Sequence, residues 1–475
     1  MASMNTSTPL PAPRKVDVAV IGSGPGGYEA ALLAARTGMQ VTLIEKSALG
    51  GVCVNWGCIP TKALLRSAEA FDLLRKGEAL GLSAREAAFD LAAAVKRSRT
   101  VVLKISKGIE YRLRNAGVEV ISGEARFCGP NELEVIRDGA VAASISASSI
   151  IVATGGRMRT IPGLEPDQRL LITSREALAM KELPASMIVL GGGAIGVELA
   201  WFYATLGTRV TIVEMMERLM PLEDSEISEA LKRSFQKAGI TVATGSKLED
   251  VKKDGERVTA RLMVPGEEPQ EIEAELMLLA VGVGGSTEGL RLERAGVHVS
   301  RGFIETDARC RTAVPHIYAI GDVRGGMLLA HKASAEAAIA VASIAGTSPE
   351  PLDDTMIPRC VYAEPSIASI GMSEEQALQA GRAVSVGRSN FAASGKANAS
   401  GNLEGLVKLV FEAGGGPLLG AHLIGHGAVE LIGELALARS LGVTASRLAS
   451  VVHAHPTLSE SIREAALGAQ APLGE

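Results

Sequence analysis

Four things are scarce in this chain: aromatic residues, cysteine, a surplus of positive charge, and uninterrupted apolar sequence. Aromatic residues make up 3% of the 475 positions, too few for the stacking platforms of single-stranded nucleic-acid binders. Lys and Arg total 48 against 53 Asp and Glu, a net charge of −5, which argues against a broad phosphate-binding face. No nucleic-acid partner is expected. The five cysteines, at 53, 58, 128, 310 and 360, are odd in number and too sparse for a secreted disulfide scaffold. The longest apolar stretch, Met187 to Gly207, carries Glu198 in its middle and Gly191, Gly192, Gly193 and Gly196 near its start. It reads as a buried strand running into a helix, so no membrane span is expected. The opening MASMNTSTPLPAPRK has three prolines and no apolar core. It reads as a disordered tail rather than a secretory or transit signal, and a cytoplasmic location is expected.

What the chain does have is 47% hydrophobic residues and 53 glycines, a composition that rules out intrinsic disorder. At about 150 residues per domain the length suggests roughly three domains.

One unit occurs twice. Residues 16–46 read VDVAVIGSGPGGYEAALLAARTGMQVTLIEK, and residues 186–215 read SMIVLGGGAIGVELAWFYATLGTRVTIVEM. A shift of 169 superimposes them without a gap, carrying Gly22, Gly24 and Gly27 onto Gly191, Gly193 and Gly196, Gly38 onto Gly207, and Glu45 onto Glu214. Each copy reads as strand, glycine turn, helix, strand. The continuous apolar runs Val16 to Ile21 and Met187 to Leu190 suit a parallel sheet buried on both faces. The first glycine permits a tight turn, the second lets the backbone approach a pyrophosphate, and the third lets helix and strand pack closely. The helix N-terminus then offers N–H groups to phosphate, and the acid closing the second strand accepts from ribose hydroxyls. Two dinucleotide sites are expected. Glu214, followed by Met215, Met216, Glu217 and Arg218 with no basic residue directly after it, favours NAD over NADP. The glycines of the first copy do not by themselves choose FAD.

Behind the first copy comes GGVCVNWGCIPTKALLRSAEA, residues 50–70. In an ideal helix Cys53 and Cys58 would be separated by a rise of about 7.5 Å with poor angular match, near the limit of about 7 Å between Cα atoms that a bridge tolerates. If the two bridge, the backbone around Asn55 to Gly57 must leave the helix, and Gly57 and Pro60 flank such a bend. Lys62 and a helix N-terminus nearby would favour a thiolate. Two buried unreactive cysteines are the plainer alternative. A zinc site lacks a second ligand pair of matching spacing, so no metal is expected.

GGVCVNWGCIPTK resembles the redox-disulfide signature of the pyridine nucleotide–disulfide oxidoreductases. The resemblance extends from about Lys15 to Gly468 through Ala153-Thr154-Gly155, Ala319-Ile320-Gly321-Asp322-Val323, Met327-Leu328-Leu329-Ala330-His331-Lys332 and His453-Ala454-His455-Pro456-Thr457-Leu458-Ser459-Glu460. It implies an α/β fold with two tandem Rossmann-like dinucleotide-binding domains and a C-terminal α+β dimerisation domain. The implied boundaries are a tail at 1–14, an FAD domain at 15–155, an NAD domain at 156–283, a central domain completing the FAD site at 284–354, and an interface domain at 355–475. It implies a redox pair of Cys53 and Cys58, an acid/base His455 oriented by Glu460, and Lys62 and Glu198 beside the flavin ring. Flavin contacts are implied for Gly22, Gly24, Gly27, Glu45, Lys46, Gly51, Val52, Lys62, Ala125, Thr154, Gly155, Asp322, Met327, Leu328, Ala330 and His331. Nicotinamide-nucleotide contacts are implied for Gly191, Gly193, Ala194, Ile195, Gly196, Glu214 and Gly282.

The implied activity is oxidation of dihydrolipoamide to lipoamide with reduction of NAD⁺. The implied partners are a second copy in a homodimer, dihydrolipoyl groups on lipoylated E2 or H-protein, and the E2 subunit-binding domain. In such a dimer His455 faces the disulfide of the other subunit. His453 reads as structural, Trp56 as a packing residue, and Cys128, Cys310 and Cys360 as unreactive. A glutathione-type reductase would show arginines around Glu214. A mercuric or large thioredoxin-type reductase would carry cysteines beyond Cys360, and a soluble transhydrogenase would lack one of the pair. An inactive flavoprotein scaffold has no use for an intact pair with His455 and Glu460. One departure stands out. After Ala280-Val281-Gly282 the family commonly continues with Arg and a Pro-Asn step, whereas this chain has Val283-Gly284-Gly285-Ser286, with one positive charge fewer near the second nucleotide.

Overall fold

The structure is a computed structural model that describes residues 13–83 and 86–470. Of the tail expected over 1–14, residues 1–12 lie outside the described residues, and Arg14 already opens the first strand. The chain divides into two compact units, each assembled from separated segments.

The first unit comprises Met1–Pro60, Ser98–Arg159 and Val283–Leu352. Its sheet runs Glu119–Ser122, Val41–Glu45, Arg14–Ile21, Ala140–Val152, with Ile317–Ala319 against the far side of Ala140–Val152. These strands are parallel. Val18 to Val20 and Val41 to Ile44 are buried, which is why both runs are apolar without alternation. Glu132–Arg137 and Glu124–Gly129 continue the sheet antiparallel. Register places Ile21 opposite Val152, and Val152 opposite Ala319. The loops that leave these three residues therefore open at one sheet edge, the C-terminal ends of parallel strands, where α/β folds bind ligands.

The second unit comprises Thr61–Arg97, Thr160–Gly282 and Asp353–Glu475. One sheet, in the order Thr241–Ala243, Arg209–Val213, Ser186–Leu190, Leu276–Leu279, Leu171–Ile172, is parallel and repeats the architecture of the first. A second, antiparallel sheet is formed by Arg359–Val361, Ile367–Gly371, Leu418–Gly425, Gly405–Glu412 and Val384–Asn390 in that order. Ala428–Ser440, Ala445–Ala449 and Glu460–Gly468 share a core with it built on Phe391, Leu409, Leu423, Leu435 and Ile462. In both glycine-turn copies the helix ends where the sequence places it. Pro25–Arg36 stops before Gly38 (φ +86°) and Ala194–Thr205 before Gly207 (φ +105°), the left-handed terminator that glycine supplies most readily.

The helix Glu460–Gly468 lies directly on the backbone of Val384–Asn390. A Cβ at Gly387 would collide with the Ala465 carbonyl and stand 2.8 Å from the Ala469 nitrogen. Gly387→Val should lift this helix and destabilise the fold by about 1–3 kcal/mol, as overpacking does. Urea unfolding with an unchanged midpoint would contradict this contact.

Candidate redox and dinucleotide sites

In the first glycine turn Gly22 adopts φ +98°, and a Cβ there would strike the Ala153 carbonyl. A Cβ on Gly27 would strike the Gly22 carbonyl, whereas one on Gly24 meets nothing within 4 Å. The outer glycines are thus fixed by packing, and the middle one faces open space at the N-terminus of Pro25–Arg36. The second turn matches it. Gly191 abuts the Ala280 carbonyl, Gly196 abuts the Gly191 carbonyl, and Gly193 is open. Ala194 and Ile195 begin the helix behind it. Each open glycine lies at a helix end whose first N–H groups have no intrahelical acceptor. Both cradles fit a pyrophosphate.

The acid of each copy is held by its turn. Glu45 Oε2 accepts from Ser23 N at 2.9 Å and Ser23 Oγ at 2.6 Å, and its Oε1 accepts from Ser47 N at 2.8 Å. Glu214 Oε2 accepts from Gly192 N at 2.6 Å, and its Oε1 from Met216 N at 2.7 Å. A carboxylate offers about four acceptor sites, so each retains capacity for ribose hydroxyls.

The cysteines come directly after. A short helix, Gly51–Trp56, breaks at Gly57 (φ −136°, ψ −116°), and a new one, Cys58–Lys76, begins at once. The break brings the two Sγ atoms to 2.6 Å, so the backbone departs from helix where a bridge requires it. The thiol helix is seated on the first glycine turn. A Cβ at Gly51 would lie 2.7 Å from Gly24 Cα, and Gly50 N donates to Ser23 O and Ser23 Oγ, each at 3.1 Å. Asn55 Nδ2 donates to Gly51 O at 2.9 Å. Arg99 donates to Asn55 O at 2.7 Å and stacks 4.8 Å from the Trp56 ring, which gives Trp56 its expected packing role. Val52 is exposed beside the pair.

The other cysteines differ in kind. Burial pushes the Cys310 thiol up to about 12 and the Cys360 thiol up to about 11. Cys128 is raised as well, by desolvation first and then by Glu134 and Glu132. All three remain thiols near neutrality and are poor nucleophiles.

The remaining first-copy residues converge on the same sheet edge. Thr154 Oγ1 donates to Ser286 O at 2.7 Å, and Ser286 N donates to Gly155 O at 2.9 Å. The unusual Val283–Gly285 is a strand paired with Gly156–Met158. Its observed bonds therefore brace the Ala153-Thr154-Gly155 loop. Asp322 lies beside Gly156, whose Cβ would stand 3.2 Å from the Asp322 carboxyl. Burial raises the Asp322 carboxyl above its ordinary value, opposed by Lys332. Met327 and Leu328 precede the helix Ala330–Ile344, which carries His331 in its first turn. Ala125 is buried on its strand, and Lys46 is exposed and 3.7 Å from Glu124. Sequence reasoning missed Ser23, Arg99 and Glu336. Glu336 is fully buried, accepts from Gly321 N at 2.7 Å and pairs with Lys332 at 2.6 Å, so it fixes the turn that aims Asp322.

In the second unit Lys62, one helical turn beyond Cys58, reaches both oxygens of buried Glu198 at 2.9 and 2.8 Å. Tyr362, also missed, donates its N–H to Glu198 at 2.9 Å and lays its ring 4.3 Å from the Lys62 ammonium. Gly282 (φ +103°) ends the unit's central segment. His455 Nδ1 is 2.9 Å from Glu460 Oε1, and Glu460 Oε2 accepts from Thr457 N at 2.9 Å. The Thr457 N–H, then His455, hold Glu460 below the usual carboxylate range. A charged carboxylate at Nδ1 favours the tautomer with Nδ1 protonated, which leaves Nε2 free to accept a hydrogen bond. The His455 side chain is 78% exposed, whereas His453 is 6% exposed and ties Nε2 to Glu434 at 2.8 Å. His455 is the one presented outward.

The chain matches the pyridine nucleotide-disulphide oxidoreductase family over residues 16–337 and that family's dimerisation domain over 357–466. It belongs to this family. It is an oxidoreductase whose cofactors are FAD and NAD. Among its relatives are the dihydrolipoyl dehydrogenases of Chlorobaculum tepidum, 62% identical over 96% of this chain and 98% of that one, and of Chlorobaculum parvum, 64% identical over 95% and 97%. The structure of LpdA from Mycobacterium tuberculosis superimposes with a TM-score of 0.89 at 29% identity, covering 96% of this chain and all of that one. Among the described residues no helix is long and apolar enough to cross a membrane, and no cluster suited to a metal ion occurs.

The glycine geometry separates two kinds of defect. Gly24→Val should fold normally and purify without the yellow flavin band, because its side chain occupies only the cradle. Gly27→Val should fail to fold, because its side chain meets the Gly22 carbonyl. Flavin absorbance and circular dichroism on both variants check this, and a yellow Gly24→Val protein would contradict the cradle.

Proposed function

We propose that this chain oxidises dihydrolipoyl groups to lipoyl groups and passes the electrons through FAD to NAD⁺. The observation that carries the reading is the Cys53–Cys58 pair, with Sγ atoms at 2.6 Å, across the helix break at Gly57 and with the first of the two helices seated against the first glycine turn. Identity of 62–64% to proteins named dihydrolipoyl dehydrogenase supports the substrate.

His455 Nε2 takes the proton from one thiol of the substrate. The resulting thiolate attacks Cys53 Sγ and breaks the Cys53–Cys58 bond, forming a mixed disulfide and leaving Cys58 as thiolate. The second substrate thiol then displaces Cys53 and its proton passes to the departing Cys53 sulfur, while His455 keeps the first proton and Cys58 stays a thiolate. The substrate leaves as a cyclic disulfide, and the cysteine pair holds two electrons more than before. Glu460 keeps the imidazole in one tautomer and balances its charge while it carries the proton. Bound FAD supplies the two-electron relay from the reduced pair to NAD⁺. Lys62, anchored by Glu198, sets a positive charge one turn from Cys58. The order, with Cys53 exchanging and Cys58 against the flavin, rests on the family resemblance.

In this reading residues 15–155 and 284–354 hold FAD, residues 156–283 hold NAD, and residues 355–475 join two copies. His455 of one copy serves the cysteines of the other, which suits its exposure in the single chain. The physiological partners are lipoylated E2 or H-protein and the E2 subunit-binding domain, met in the cytoplasm.

Cys53→Ser and Cys58→Ser should each remain yellow and lose dihydrolipoamide oxidation by at least about 10³-fold. His455→Gln should keep its flavin and lose about 10²–10⁴-fold, the range of a removed general base. Anaerobic reduction by dihydrolipoamide, monitored by flavin absorbance, tests all three. Turnover near the unmodified rate in either serine variant would overturn the thiol relay.

A further inference from the structure

The antiparallel sheet of the second unit carries one continuous polar row. Register aligns Arg359 with Ser369, Ser369 with His422, His422 with Lys408, and Lys408 with Arg388, one residue from each of the five strands. Cross-strand neighbours in register lie on the same face. The centre of the row is buried, with Ser369 and His422 fully enclosed and Lys408 2% exposed. A row of this polarity inside a sheet face is costly unless it is paired.

Its partners come from the start of the helix Ser225–Lys237 and from the short helix Glu374–Gln379. Arg359 Nε bonds Glu223 at 3.0 Å. Lys408 Nζ reaches Asp224 at 2.9 Å, Glu226 at 2.6 Å and Glu374 at 2.9 Å. Arg388 reaches Glu226 at 2.6 Å and Glu374 at 2.8 Å. Next to Glu374, Glu375 takes both amino groups of Arg218 at 3.2 and 3.3 Å. Burial works against the Lys408 ammonium, but Glu226, Glu374 and Asp224 outweigh it and raise its pKa. Burial lowers that of His422, whose Nε2 is 2.9 Å from Met372 O.

Every acid from Glu223 to Glu226 and the cation Arg218 belong to one stretch, residues 215–226, that begins where Glu214 ends. The front of this stretch is folded onto the second glycine turn. Met216 N donates to Glu214, Met220 N donates to Gly192 O at 2.9 Å, and a Cβ on Gly192 would stand 2.7 Å from Leu219 Cδ2. Its back is bound to the dimerisation domain, Arg218 to Glu375 on the short helix and Glu223 and Asp224 to Arg359 and Lys408 of the sheet.

We propose that this charged row, together with the adjacent Glu375, is the positioning element for the second nucleotide, holding the 215–224 loop so that Glu214 and the Gly192 backbone meet the adenosine end of NAD. The row itself touches no nucleotide. It acts through the loop, so NAD affinity is set partly by the dimerisation sheet. The inference rests on the assignment of NAD to the second glycine turn.

The test uses the full-length, FAD-loaded protein with Glu375→Gln and Glu223→Gln, two isosteric changes that each remove one tether. NADH binding is titrated by fluorescence, KM for NAD⁺ is separated from kcat, and the dihydrolipoamide half-reaction is monitored anaerobically at the flavin. Loss of the half-exposed Arg218–Glu375 pair should raise the NADH Kd about threefold, and loss of the buried Glu223 charge about tenfold. KM for NAD⁺ should rise in step, while the half-reaction and flavin content stay as in the unmodified protein. Unchanged NADH affinity in Glu375→Gln, whose surface position spares the fold, would overturn the inference even if Glu223→Gln is unstable. A fall in the half-reaction equal to the fall in NADH binding would also overturn it, since that marks general loosening. Failure of the unmodified protein to bind NADH would instead refute the NAD assignment, and the inference with it.

Discussion

The buried hydroxyl and backbone of Ser23 are the junction on which the redox chemistry depends. This residue has no exposed surface. It gives its N–H and Oγ–H to Glu45 and accepts the Gly50 N–H on its carbonyl and hydroxyl oxygens. One residue therefore ties the glycine turn, the acid Glu45 and the entrance of the thiol helix. Gly51 on Gly24 completes the junction by close backbone approach. A two-electron relay needs its partners held to a fraction of an ångström. A turn in which three chemical elements share one buried residue supplies that rigidity without a separate scaffold.

The internal repeat shows the same unit used in two ways. At the position of Ser23 the second copy has Gly192, and Glu214 is held by the Gly192 N–H alone on that side. After Glu45 the chain turns into the cysteine helix. After Glu214 it folds back on Gly192 through Met220 and then runs to the antiparallel sheet. Both acids are gripped by their turn and by the N–H two residues on, Ser47 or Met216. The grip on the acid is common to the two copies. The path of the chain beyond the acid is what divides the cysteine helix of the first copy from the 215–224 loop of the second.

Much of this is legible in the sequence, and the boundary of legibility has a physical meaning. The 169-residue shift, the three glycines per copy, the terminators Gly38 and Gly207 and the paired cysteines are local patterns, and each is found where the spacing puts it. The helix break at Gly57 meets the demand that residues five apart come together. Tyr362 and the Arg359–Arg388 row are not legible, because their partners lie up to 184 residues away in sequence, as with Lys408 and Asp224, and the nearer partners of Ser23 and Glu336 follow no spacing that marks a buried contact. A serine in a glycine turn or a lysine in a strand has no periodicity that announces such a contact. By sequence, Val283–Ser286 signals only a charge lost near one nucleotide. Its hydrogen bonds brace the Thr154-Gly155 loop of the other turn, because strand pairing rather than charge decides where a glycine-rich segment lies.

The buried ions illustrate why such contacts persist although they add little net stability. An apolar replacement of Lys332 and Glu336 could pack as well, since desolvation of each charge consumes most of what their attraction returns. What an apolar pair cannot do is accept the Gly321 N–H or offer the Gly325 carbonyl a donor, as Glu336 and Lys332 do at 2.7 and 3.1 Å. Those two bonds set the conformation of the turn that holds Asp322 beside Gly156. The same reasoning applies to Glu198, whose two oxygens both accept from Lys62 while Oε1 also accepts the Tyr362 N–H. In each case the buried charge is retained because it fixes a backbone segment that must present one reactive or binding group at one angle, a constraint that hydrophobic contact, being non-directional, does not impose.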